Sequence, residues 1–148
     1  MTARRDVLVA GVAGVGTLWL RPAGATPASL RTAINQFTGG RLPSDGRVVL
    51  TIDELVENGN AVPVSANVQS AMTAADHVQR IALFTESNPQ PEVIVFHLGP
   101  HNGRAQVATR MRMATSQHVT AVAVMNDGSA WQHRVQVVVT LAACLEGG

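Results

Sequence analysis

Period-two alternation of apolar and polar side chains, repeated in short runs from Arg47 almost to the C-terminus, limits what this chain can fold into more than any other feature. The clearest run sets Arg104, Gln106, Ala108, Arg110 and Arg112 against Ala105, Val107, Thr109, Met111 and Met113. Successive side chains of a strand point to opposite faces, so such a run is a half-buried antiparallel strand. Candidate strands cover 48–55, 61–68, 77–84, 92–98, 104–113, 118–125 and 131–142. Turn signals separate them: Glu57-Asn58-Gly59-Asn60, Ser87-Asn88-Pro89, Gly99-Pro100 and Asn126-Asp127-Gly128. The last of these suits a tight hairpin, because its residues tolerate positive φ. With no helical segment between the runs, the expected fold is all-β, an immunoglobulin-like antiparallel sandwich of about seven strands.

One helix precedes the strands. Leu30, Ile34 and Phe37 are spaced four and three apart, Pro27 and Ser29 stand at the start, and Gly39 and Gly40 stop the run. A chain of 148 residues supports one domain with its own core. That core must be aliphatic, since the only aromatics are Phe37, Phe84, Phe96, Trp19 and Trp131.

Residues 1–25 read as a cleavable signal peptide and 26–148 as the domain. Arg4 and Arg5 give a charged start, an apolar stretch runs from Val7 to Leu20, and Ala23, Gly24 and Ala25 offer a small-residue cleavage site. The apolar stretch is short of the roughly 20 residues that span a bilayer, which favours cleavage over a retained anchor. The arginine pair followed by Asp6, Val7 and Leu8 resembles a twin-arginine signal, although Val7 replaces the usual Phe and the trailing Lys is missing. The expected location is therefore the periplasm, with no membrane association of the mature domain.

Taking Arg4, Arg5, Arg21 and Asp6 from totals of 11 basic and 10 acidic residues leaves 8 against 9. A nearly neutral domain without a basic run argues against nucleic-acid binding. Arg104, Arg110 and Arg112 share a strand face that is read first as solvated, with attraction of anionic species as the alternative. His97 and His101 have a metal-like spacing, but Gly99 and Pro100 exclude the helix that would align them. His77, His118 and His133 lie in strands with no Cys, Asp or Glu at ligand spacing. No metal site, no cofactor and no hydrolase triad is expected.

Cys144 is the only cysteine. An unpaired thiol in an oxidising compartment leaves three explanations: an intermolecular disulfide, a reactive group, or a buried core residue. Continuing the alternation of Val135, Val137, Val139 and Leu141 against Gln136, Val138, Thr140 and Ala142 puts Cys144 on the second, outward face. Val138 and Ala142 would then leave apolar surface for a partner to cover.

Several stretches resemble the SoxY subunit of bacterial thiosulfate-oxidising systems. They are Asn58-Gly59-Asn60-Ala61-Val62-Pro63-Val64, Met72-Thr73-Ala74-Ala75-Asp76-His77-Val78, Asn88-Pro89-Gln90-Pro91 and Phe96-His97-Leu98-Gly99-Pro100. The run from Ala105 to Arg112 and the segment from Met125 to Trp131 belong with them, so the resemblance covers almost the whole mature chain. It implies a small immunoglobulin-like subunit, not itself an enzyme, that pairs with SoxZ and carries sulfur intermediates covalently on a C-terminal cysteine, here Cys144. The resemblance further implies that a c-type cytochrome enzyme couples the cysteine to thiosulfate, that a hydrolase releases sulfate, and that a sulfur dehydrogenase acts on the remaining sulfane. The alternative is a binding or structural subunit of the same fold with an inert thiol. The family's usual ending, Gly-Gly-Cys-Gly-Gly, is replaced by Ala142-Ala143-Cys144-Leu145-Glu146-Gly147-Gly148. Two alanines stiffen an arm that glycines would leave floppy, Leu145 adds bulk, and Glu146 places a negative charge beside a thiolate and its anionic cargo.

Overall fold

The structure is a computed structural model, described here for residues 24–143. Helix α1 spans Pro27–Thr38. Its start is closed by a reciprocal cap: the Thr26 hydroxyl accepts from the Ser29 N–H at 3.1 Å, and the Thr26 N–H donates to Ser29 Oγ at 2.7 Å. Gly39, at φ 67°, ends it in the left-handed conformation that glycine adopts without strain.

Nine strands follow: β1 (Ser44–Asp45), β2 (Val48–Ile52), β3 (Leu55–Asn58), β4 (Val62–Val68), β5 (Val78–Thr85), β6 (Glu92–His97), β7 (Gln106–Met111), β8 (Gln117–Met125) and β9 (Ala130–Leu141). The larger sheet has the order β1-β9-β8-β5-β6, with β3 also paired to β9; the smaller has the order β2-β4-β7. Their facing sides form an aliphatic core in which Ile81, Leu83, Val119, Ala121 and Ala123 meet Leu50, Val62, Val64, Ala66 and Met111. The other side of the larger sheet is partly covered by α1, whose Leu30, Ala33, Ile34 and Phe37 pack on Ala82, Phe84, Val122, Val124 and Val95. Phe37 meets Phe84 edge to face at 5.7 Å. Because β5 and β8 lie between helix and second sheet, they are buried on both faces and lose the alternation that β4 and β7 keep.

This is the expected immunoglobulin-like sandwich with a short N-terminal helix. Alternation in β7 is as read: Arg104, Gln106, Arg110 and Arg112 face solvent, while Ala105, Met111 and Met113 are buried. The β8–β9 hairpin turns on Gly128 at φ 83°, closed by Gly128 N–H to Met125 C=O at 3.0 Å and Met125 N–H to Ser129 C=O at 2.9 Å.

Two features differ from the sequence reading. The run 48–55 is not one strand: β2 pairs with β4 in the smaller sheet, and after Asp53 and Glu54 the chain crosses to the larger sheet, where β3 runs parallel to β9 with Leu55 opposite Val138. Two adjacent acidic residues interrupt the alternation there, and the change of sheet follows. Leu141, placed with the inward residues, is 62% exposed, because β9 reaches past the core and β3 ends opposite it at Asn58.

Candidate functional site at the root of the C-terminal arm

Cys144, the predicted attachment residue, lies outside the described residues. What the structure describes is the root from which it departs. The end of β9 is held by three distant segments. Val139 is gripped by Ser116, whose hydroxyl accepts from its N–H at 2.8 Å. The Thr140 hydroxyl donates to the Glu57 carbonyl at 3.1 Å. Past the strand, a chain of main-chain bonds takes over: Gly59 N–H to Leu141 C=O at 2.8 Å, Met113 N–H to Gly59 C=O at 2.8 Å, and Ala143 N–H to Met113 C=O at 3.0 Å. Ala143 is consequently buried at 7% exposure, one residue before the cysteine.

The segment carrying Met113 is itself fixed. Buried Asn88 donates through Nδ2 to the Arg112 carbonyl at 2.8 Å, and its Oδ1 accepts from the Ala114 N–H at 3.0 Å. Gln117 Nε2 donates to the same Oδ1 at 2.9 Å, while Gln117 Oε1 accepts from the Ser87 N–H at 2.8 Å. Two buried amides thus tie the β5–β6 and β7–β8 loops together, with their polar groups paired as burial requires. Beside the root, β3 and β9 present Leu55 and Val138 in register, both exposed, and exposed Leu141 follows three residues further along β9, opposite Asn58. Val138 and Ala142 are solvent-facing, as the alternation predicts.

Among the described residues no group of three or more His, Cys, Asp or Glu side chains is placed to hold a metal ion. His77 Nδ1 donates to the Thr73 carbonyl at 2.9 Å, and His133 Nδ1 accepts the Leu50 N–H at 2.9 Å. The sequence reading gave His118 no acidic partner, yet Nδ1 of His118 donates to Glu86 Oε2 at 2.9 Å, and Arg134 pairs with the other oxygen. Burial works to raise the Glu86 carboxyl, but the hydrogen bonds from His118 and the Arg134 charge outweigh it and hold the group below its usual range. No local spacing announces this cluster, since Glu86 lies in the β5–β6 loop, His118 on β8 and Arg134 on β9. At the opposite end of β9, Asp76 is held low by the Ala71 N–H and by Arg47, and Asp127 by the Ser129 hydroxyl and N–H.

The family model of the sulfur oxidation protein SoxY matches residues 34–144 and ends on Cys144 itself. The chain belongs to the SoxY family. Among solved structures, the sulfur carrier protein SoxY from Chlorobium limicola f thiosulfatophilum is 28% identical with a TM-score of 0.64, over 77% of this chain and 98% of that one. A superoxide reductase (neelaredoxin) from Ignicoccus hospitalis is 17% identical, with a TM-score of 0.57 over 64% of this chain and 80% of that one. A putative superoxide reductase from Thermotoga maritima is 19% identical, with a TM-score of 0.53 over 70% and 89% respectively. The latter two share the fold alone. No curated protein matches the chain. SoxY membership places the chain in sulfur oxidation, and no helix among the described residues is long and apolar enough to cross a membrane.

Proposed function

We propose that the chain is a covalent carrier of sulfur intermediates in periplasmic oxidation of thiosulfate or a related reduced sulfur species, with the cargo on Cys144. The observation that carries this reading is the family match ending on the cysteine, together with a fold that anchors the chain up to Ala143. A thiolate is the side chain suited to making and breaking sulfur–sulfur bonds. In the coupling step the Cys144 thiolate and the outer sulfur of thiosulfate form one S–S bond and give up two electrons to a c-type cytochrome enzyme, leaving Cys–S–S–SO3⁻. Water then cleaves the S–SO3 bond in a hydrolase, releasing sulfate and a proton and leaving a persulfide for a sulfur dehydrogenase. The chain contributes no catalytic group to either step; it presents the cargo to partner enzymes.

On this reading residues 1–25 direct export by the twin-arginine route, and 26–148 form the carrier domain. The Leu55 and Val138 flank gives a SoxZ-like subunit an apolar strip beside the arm. The test is incubation of the reduced protein with thiosulfate and a coupling cytochrome, followed by intact mass. A thiosulfonate adduct should appear and should be lost in Cys144→Ser, because a hydroxyl does not undergo thiol exchange. A folded protein whose Cys144 accepts nothing from thiosulfate, sulfide or a persulfide donor, and resists a small alkylating reagent, refutes the carrier role and leaves a subunit with an inert thiol.

A further inference from the structure

We propose that Gly59 is a positioning residue, the centre of a latch that holds the C-terminal arm at Ala143 and sets how far Cys144 can travel; the inference rests on the carrier reading of Cys144. Gly59 lies in a tight turn after β3, but its backbone is not among those at positive φ, so it is not needed there for conformational freedom. It is needed for space. A Cβ on Gly59 would stand 2.6 Å from the Met113 carbonyl oxygen, 2.9 Å from the Ala143 nitrogen and 3.1 Å from Val139 Cγ1. The first two are main-chain atoms, which can yield only if their segments move. They are also donor and acceptor of the bond that holds Ala143, at 3.0 Å.

Only a residue without a side chain lets three strands of backbone meet so closely that Gly59 bonds both Leu141 and Met113 while Met113 bonds Ala143. The Met113 carbonyl cannot follow the arm outward, because Asn88 holds the Arg112 carbonyl on one side and the Ala114 N–H on the other. When the latch is closed the backbone is held up to Ala143, one residue before the cysteine. When the Leu141 and Ala143 bonds open, residues 142–144 extend about 10 Å at roughly 3.4 Å each, enough to enter a recessed active site. Entry into a partner's cleft then competes with the latch. Ala143 contributes, since its methyl is buried when the latch is closed, while Ala142 faces solvent.

A nitroxide attached through a disulfide to the single cysteine reads this directly by electron paramagnetic resonance on the full chain. In the unsubstituted protein the spectrum should contain an immobilised component, and the Ala143 amide should exchange slowly with deuterium. Gly59→Ala should narrow the lines and speed exchange at Ala143 at least tenfold, while amides of Phe84 and Val122 keep their protection. Ala143→Pro leaves Gly59 unchanged but removes the donor and sets a ring carbon against the Met113 carbonyl; it should give the same narrow spectrum, which decides the matter should Gly59→Ala not fold. If the unsubstituted protein already shows the spectrum of Ala143→Pro and an unprotected Ala143 amide, there is no latch. The outcome is independent of sulfur chemistry. A held label on a protein whose Cys144 takes no sulfur leaves the latch standing and the carrier reading fallen, and a free label on a protein that does take sulfur leaves the reverse.

Discussion

The two ends of β9 are built in opposite ways. At its start the hairpin is specified by neighbours in sequence: Gly128 supplies the positive φ, Asp127 Oδ1 accepts from the Ser129 N–H at 2.8 Å, and the Ser129 hydroxyl accepts from Trp131 Nε1 at 3.2 Å. At its end, Val139, Leu141 and Ala143 are held by Ser116, Gly59 and Met113, and Met113 in turn by Asn88. Local rules shape the turn itself, and Asn126 adds side-chain bonds to His77 and Ala75. Long-range main-chain bonds and two buried amides make the second end, so its stability depends on several loops staying in register together. The end that carries the proposed function is thus the one assembled from distant parts, where one lost partner releases several others.

The largest contrast should come from matched substitutions at the two ends. Asn88→Ala strands the Ala114 N–H and takes from the Gln117 amide one of its two acceptors, and is expected to cost about 2–3 kcal/mol in urea unfolding. Gly128→Ala puts a methyl at φ 83°, facing only the flexible Arg41 side chain at 3.5 Å, and should cost about 1–2 kcal/mol. Equal costs at the two sites would dissolve the distinction. Asn88→Ala should also loosen Cys144 toward a spin label or an alkylating reagent, whereas Gly128→Ala should leave it unchanged.

Most of the framework was legible in the sequence because it obeys local periodicity. Strands with one wet face, such as β4 and β7, announce themselves by alternation, and the helix by Leu30, Ile34 and Phe37 with a glycine stop. The crossing from β2 to β3 was not legible: Asp53 and Glu54 break the alternation there, but nothing local says that β3 pairs parallel to β9, with Leu55 opposite Val138 across most of the chain. Glu86 with His118 and Arg134 was missed for the same reason. Gly59 was read as a turn glycine, which it is, but the reason no other residue fits is the proximity of Met113 and Ala143, and that exists only after folding.

A smaller effect concerns acid. Glu86 titrates lower in the fold than its ordinary 4.5, so its contribution to stability is fully present above that value and is lost as pH falls through the folded one. Glu86→Gln should therefore flatten part of the decline in stability below about pH 5, by less than about 1 kcal/mol for a partly exposed cluster. Asp76 and Asp127 at the hairpin end are lowered too and keep the remainder of the slope, so Glu86→Gln tests how much of the acid sensitivity belongs to the end nearer the arm. An unchanged slope would mean the cluster is electrostatically idle.

The central claim, that Cys144 is the cargo site, is tested most directly by mass analysis of the C-terminal peptide from protein isolated, without reductant, from cells oxidising thiosulfate. The carrier account predicts that a substantial fraction carries sulfane or thiosulfonate sulfur on Cys144, and that the fraction falls when thiosulfate is withdrawn. A peptide that shows only free thiol, or only a disulfide to a second chain, with and without thiosulfate, would contradict it.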